Sequence, residues 1–513
     1  QKPVRLTEPR TITFGLMASP AKPMPEGWRA IGRDDTRGIR FTMGSYFGLP
    51  AVYAAKYPLG KDFSPLDQFY KLRQGKRVNA SAFAGQWVEK HLDRPEVTED
   101  LREATRHLVA LAINLGKSND RYTAYYDEFR ATTTFCEETP IFRTEWDVAD
   151  TFLDSVQAFH ERFGTKITHV GHRDWYFGSG TMPPSYRDFA VYFAAEWLKR
   201  SLGIYFDNAF VKTPSRNPAM SEAYYREDGQ IQPSTQIWAR REYVKRIWVL
   251  HQQLRLPQTP QIMMIHMTNA NILPWLSFNE VNLDLEWKFG PGPFQAKFTP
   301  ELLRAESTGL HTGCIPMAIA DVEKDGQGPT PPMVTRRAER TRWGGFLVHE
   351  MRMEWSGQKW PPLVSEFGYG LPDCEVFNYW DESPIVQSSD PKCKWLVAKR
   401  GDRLMLALCT WNAKPSTVDF TLDLDRLGVR PTRAIDMEHP NQDEVGAALD
   451  DMLSDMDDDG DLPDGKKKKK AIEAQTGATD PDAWQGQIQW DPKSRRLTVP
   501  LAGYGVRLIE LTP

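Results

Sequence analysis

Polar side chains that close an apolar run are candidates for chemistry, because such a run tends to be a buried strand and its last residues meet a loop. Four runs end this way. KITHVGHRDW closes on His172, Arg173, Asp174 and Trp175, and GIYFDN on Asp207 and Asn208 after Tyr205. IMMIHMTN closes on His266, Thr268 and Asn269, and LSFNEVNLDLEW offers Glu280, Asp284 and Glu286 between Trp275 and Trp287. A carboxylate at the end of a run such as IYFD is partly desolvated, which suits a nucleophile or an acid with a tuned pKa. Tyr205 and Asn208 can donate hydrogen bonds that favour the ionised form of Asp207; a turn-capping Asp is the plain alternative. Glu286 is the second candidate. Under strict alternation Asp284 and Glu286 share one side of a strand and Leu283 and Leu285 the other, a paired-carboxylate surface that could hold a proton donor. Leu285 and Trp287 would desolvate Glu286, with Asp284 and Glu280 as substitutes, although a solvated strand edge accounts for the pattern equally well. His172 and His266 lack the second ligand of an H-E-x-x-H pair, so they read as hydrogen-bonding residues of a cleft rather than zinc ligands. Neither G-x-S-x-G nor a Walker loop is present, which removes the usual evidence for a serine hydrolase or a phosphoryl-transfer enzyme.

The elements that must position these residues follow a repeating pattern. DVADTFLDSVQAFHERFG reads as an amphipathic helix before KITHVGHRDW, a second helix begins near Ser185 and leads past Gly203 into IYFDN, and a third, around WARREYVKRIWVLHQQLRL, leads into IMMIHMTN. Apolar, non-alternating strands separated by helices specify a parallel sheet covered on both faces. With ITFGLMAS (12–19), IRFTMGSYFG (39–48), FRATTTFC (129–136), LSFNEVNLDLEW and TGCIPMAIAD the runs come close to eight, and the simplest closed solution is a (β/α)8 TIM barrel over residues 1–388. An open doubly wound sheet is the runner-up, weakened by the absence of G-x-G-x-x-G after the first strand. Residues 53–128 read as a largely helical insertion. From 389 to 513 short alternating strands predict a C-terminal antiparallel β-sandwich. It is interrupted near 440–483 by acidic and lysine blocks that cannot bury enough apolar surface to fold alone. Asp455, Asp457, Asp459 and Gly460 imitate a calcium loop, but Lys466 stands where a bidentate Glu would close it.

Composition bounds the partners. Sixty-four basic residues against 68 acidic ones leave no basic field for a nucleic-acid backbone, and no run approaches the ~18 apolar residues of a membrane span. Five cysteines without a C-x-x-C pair indicate neither zinc nor a disulfide framework. The start at Gln1, with no signal segment, reads as a processed or excised chain. Seventeen Trp, 17 Tyr and 25 Phe are more flat apolar surface than a core requires, and such rings stack on sugar C–H faces as well as on each other.

TFGLMASPAKPMPEGWR, GIYFDNAF, IHMTNANILPWLSFNEVNLDLEW and VFNYWDESPIV, in that order, resemble the bacterial glycoside hydrolase-like proteins of domain-of-unknown-function family 6067, similar in plan to retaining barrel glycosidases. VPLAGYGVRLIEL is similar to the last strand of the sandwich that follows many such barrels. The resemblance implies hydrolysis of a glycosidic bond by two carboxylates, with Asp207 and Glu286 in the catalytic roles, although Leu285 replaces the small residue expected before the acid. His172, Asp174, Asn208, His266, Asn269, Glu280 and Asp284 would then bind hydroxyls, and Trp175, Tyr205, Trp275 and Trp287 would stack on the sugar. No cofactor or metal is called for, the partner is a carbohydrate, and a secreted or periplasmic location is expected. Two other readings are a carbohydrate-binding scaffold without catalysis and a lyase, for which Arg173 is the one strand-end cation.

Because the expected chemistry runs through free carboxylates, treatment with a chelator should leave activity unchanged. A strongly bound ion on Asp207, detected by elemental analysis, would contradict that.

Overall fold

The structure, a computed structural model, describes residues 14–30, 42–43, isolated positions between 82 and 106, 123–128, 131–132, 138–146, 177–178, 182–198, 203–207, 209, 215–218, 222–254, 262–266, 271–286, 292–307, 309–319, 332–353, 360–438 and 486–513. Its first unit is a seven-stranded sheet: β1 (Thr42–Met43), β2 (Thr123–Glu128), β3 (Gly203–Asp207), β4 (Ile262–His266), β5 (Val281–Glu286), β6 (Ile315–Ile319) and β7 (Arg352–Met353). Each strand pairs in parallel with the next in chain order. Among the described residues the order never reverses, so there is no switch point of the kind a doubly wound sheet needs.

Alternation sorts the sheet into two rows. Ile204 and Phe206 of β3 and Met263 and Ile265 of β4 share one buried cluster with Tyr186 and Phe189 of α1 (Pro184–Leu198) and with Tyr243, Val244 and Ile247 of α2 (Ile237–Leu254). These form the helix-facing row. Tyr205, Met264, Leu283 and Met317 lie in the opposite, inner row and are equally buried. Both faces being covered is why these strands carry apolar runs without alternation.

Several expectations shift. The parallel strand between β1 and β3 is TAYYDE, so residues 123–128 belong to the sheet rather than to the helical insertion; the described residues of FRATTTFC, Ala131–Thr132, pair antiparallel with Phe177–Gly178. ITFGLMAS is not a strand over its described part. Residues 14–30 cross the helices and strand starts as a strap, with Phe14 and Leu16 exposed, Ser19 Oγ donating to His311 O, Lys22 Nζ 3.8 Å from Glu280 and Arg29 paired with Glu350. The strand β7, too short to be read from periodicity, closes the series. KITHVGHRDW and the helix before it lie outside the described residues.

The second unit has two antiparallel sheets. One runs β8 (Cys374–Asn378), β10 (Cys393–Arg400), β11 (Arg403–Thr410), β16 (Val506–Thr512), β13 (Arg433–Asp436); the other runs β9 (Val386–Ser388), β12 (Ser416–Leu422), β15 (Arg496–Leu501), β14 (Gln489–Asp491). Antiparallel pairing therefore begins at Cys374, upstream of residue 389. Val397, Leu406 and Ile509 from the first sheet and Val418, Phe420 and Val499 from the second share one core.

Arg507 holds that unit at the base of the acidic and lysine-rich stretch. Its Nε donates to Asp436 Oδ2 at 3.0 Å, before the stretch, and one terminal nitrogen donates to Gly486 O at 3.0 Å, after it. Both side chains are 3% exposed, so removing one charge strands the other. Arg507→Met should cost about 3–5 kcal/mol in denaturant unfolding; a loss under ~1 kcal/mol would show that the pair is not structural.

Candidate active site at the C-terminal edge of the parallel sheet

Strand β3 places Tyr205 and Asp207 two residues apart, hence on the same inner row, and β4 brings His266 beside them. The three meet on one oxygen. Tyr205 Oη donates to Asp207 Oδ1 at 3.1 Å, His266 Nδ1 lies 2.7 Å from the same Oδ1, and Tyr205 Oη is 2.8 Å from Nδ1. Tyr205 is 1% exposed and His266 3%, so both are locked by the sheet. Tyr205 thus supplies the hydrogen bond expected of it. It is buried, however, and its ring stacks near His266 rather than offering a face to solvent.

Strand β5 departs from simple alternation. Its register with β6 moves from Leu283 opposite Met317 to Leu285 opposite Ala318, making Asp284 the extra residue of a β-bulge. Ala318 packs with Phe294 and Phe346 on the helix-facing side. Leu285 therefore takes a helix-facing register position and Glu286, opposite Ile319, an inner one. The expected pairing of Asp284 with Glu286 on one face is corrected by this bulge, since two residues stand where the period of two allows one. The same bulge returns Glu286 to the row of Asp207, two strands away.

Two other expected residues are elsewhere. Glu280 precedes β5, and its Oε2 accepts from Met263 N at 2.8 Å. Met263 lies at the start of β4, next to Ile262, and His266 ends it, so Glu280 is at the opposite edge of the sheet from Asp207. Burial pushes the Glu280 carboxyl up, opposed by Lys22 of the strap. Trp275 is fully buried, and its Nε1 donates to Ile237 O at 2.9 Å; it has no face for a ligand because it fills the core between α2 and the β4–β5 connection. His172, Asp174, Trp175, Asn208, Asn269 and Trp287 lie outside the described residues, and Asp284 and Glu286 are described as strand backbone.

Two acidic residues were missed because FRATTTFC, not TAYYDE, looked like the strand. Glu128 is opposite Asp207 in the β2–β3 register, ~4.8 Å away by strand spacing and in the inner row. Asp127, opposite Phe206, faces the helices and accepts from Tyr243 Oη at 2.5 Å. The signal available was the acidic pair that ends an aromatic run, YYDE.

Residues 363–447 match the family model described as glycoside hydrolase 123, C-terminal domain. The match begins in α3 (Trp360–Phe367) and covers β8 to β13. No curated protein matches the chain. Among solved structures it is similar to a maltogenic α-amylase from Thermotoga neapolitana, with 9% identity over 81% of this chain and 80% of that one and a TM-score of 0.38. It is also similar to a GH27 β-L-arabinopyranosidase from Geobacillus stearothermophilus, with 11% identity, 83% and 80% coverage and a TM-score of 0.37. A third is a putative α-N-acetylgalactosaminidase from Bacillus halodurans, with 9% identity, 83% and 81% coverage and a TM-score of 0.38.

Burial pushes the Asp127 carboxyl up to about 6, and the Tyr243 hydrogen bond offsets only part of this. The unfolded chain therefore ionises first. The contribution of Asp127 is fully present below about pH 4 and is lost as pH rises through about 6. Asp127→Asn should gain on the order of 2–3 kcal/mol relative to the parent between pH 4 and 7. Urea unfolding at both pH values measures this, and a pH-independent difference would place the cost elsewhere.

Proposed function

We propose that the protein hydrolyses a glycosidic bond, with two carboxylates at the C-terminal edge of a parallel sheet closed into an eight-stranded barrel and followed by a β-sandwich. The observation that carries this reading is Asp207: a strand-end carboxylate on the functional edge of such a sheet, held through Oδ1 by Tyr205 and His266. Two hydrogen-bond donors on one oxygen favour the charged form, as an attacking or water-activating group requires. Glu286 is the proton donor, returned to the inner row by the Asp284 bulge. The monotonic strand order and the burial of both rows support closure, and the match over 363–447 supports the class of enzyme.

In the reaction the donor gives its proton to the leaving oxygen while Asp207 attacks the anomeric carbon or deprotonates water. Carboxyl oxygens ~5–5.5 Å apart mean retention, and ~6.5–9.5 Å mean inversion. The family likeness favours retention. Glu128 is the alternative donor, because the register sets it directly beside Asp207 while Glu286 is two strands off.

The test is a screen of aryl glycosides and plant or algal polysaccharides with the intact chain and its variants. Asp207→Asn should lower the rate on the best substrate by about 10³-fold or more with folding kept. Of Glu286→Gln and Glu128→Gln, the donor variant should lose activity on natural linkages and keep it on aryl glycosides whose leaving group needs no proton. An undiminished rate in Asp207→Asn would sink the assignment. If the unaltered chain cleaves nothing, the carbohydrate-binding scaffold becomes the better reading.

A further inference from the structure

The contacts on Asp207 Oδ1 restrict where the proton of His266 can be. At 2.7 Å a bare Nδ1 would set its lone pair against those of an ionised carboxylate, a repulsive contact in a low-dielectric site. Nδ1 must therefore carry hydrogen. That N–H points at Oδ1 and passes close to Tyr205 Oη, 2.8 Å from Nδ1. The hydroxyl then has Oδ1, at 3.1 Å, as the acceptor for its own hydrogen. Two donors thus converge on one oxygen and stop the carboxylate from rotating about its Cβ–Cγ bond.

Exposure separates the roles of the two partners. The Asp207 side chain is 16% exposed and that of His266 4%, so the carboxylate is in front and the imidazole behind it. We infer that His266 is a positioning residue for Asp207, protonated at Nδ1 and backed by Tyr205, and not a ligand for substrate hydroxyls. This rests on the proposed reading of Asp207 for its catalytic consequence, and for the tautomer only on that carboxylate being ionised.

Substitutions discriminate through the shape of the side chain. Asn can put an amide N–H where Nδ1–H stands, whereas Gln places its amide near the position of Nε2. His266→Ala should lower kcat by about 100-fold, the scale of a misplaced reacting group, with KM within about twofold. His266→Asn should recover most of that loss and His266→Gln little of it. Rescue by Gln with a raised KM would show a substrate contact through Nε2 and overturn the inference. Independently of activity, ring-¹⁵N-histidine labelling of the full chain should show His266, identified by its loss in His266→Asn, with a protonated Nδ1 at neutral pH. A resonance showing Nδ1 bare overturns the inference even if the kinetics agree. If no glycoside is cleaved, the proposed function fails while the NMR result still decides the tautomer.

Discussion

The described residues of β3 to β6 leave no solvent face short of the strand ends, and the arrangement of the candidate site follows from that. The helix-facing row of β3 and β4 packs on α1 and α2, and the opposite row is buried as well, so a polar side chain can stand only at a strand end or with its partners supplied. Asp207, His266 and Tyr205 satisfy this together at one end. Glu280 satisfies it at the other, with a backbone N–H and Lys22 of the strap. Asp127, one residue from the edge but on the helix side, has Tyr243, and burial still pushes its carboxyl up, as it does that of Glu280.

The same constraint governs how the two units join. The helix Pro332–Leu347 lies so close to β16 that a Cβ on Gly344 would come within 2.2 Å of a methyl of Val506. Arg340 on that helix donates to Glu438 at 2.7 Å and to Val506 O at 3.0 Å, carrying a buried charge across the junction. His349 is kept neutral by burial, its value lowered to about 4; its Nδ1 donates to Gly345 O, and its Nε2 accepts from Tyr379 Oη. Asn378 donates to Glu350, which also pairs with Arg29. VFNYWDESPIV thus contributes Asn378 and Tyr379 to a junction, a packing role that accounts for its aromatic content without a ligand.

The bulge at Asp284 acts beyond its own position. One extra residue in β5 exchanges the rows of everything after it, so a carboxylate that strict alternation would pair with Asp284 instead shares a row with Asp207.

What the sequence determined by itself is what local periodicity encodes. The apolar runs GIYFD and IMMIH, the helices between them, the neighbourly order of the strands and the alternating β-rich C-terminal part were all legible, because burial on two faces or on one leaves its mark residue by residue. Asp207 was legible for the same reason, as a charge that ends a run with nowhere apolar to go. Tertiary structure decided the rest. Whether Trp275 is core or platform, whether Glu280 stands at the C-terminal edge of the sheet, whether ITFGLMAS pairs or straps, and on which row Glu286 falls all depend on register and packing between segments tens of residues apart. Those are relations between strands, and a one-dimensional pattern carries the period of each strand but not its phase against the next.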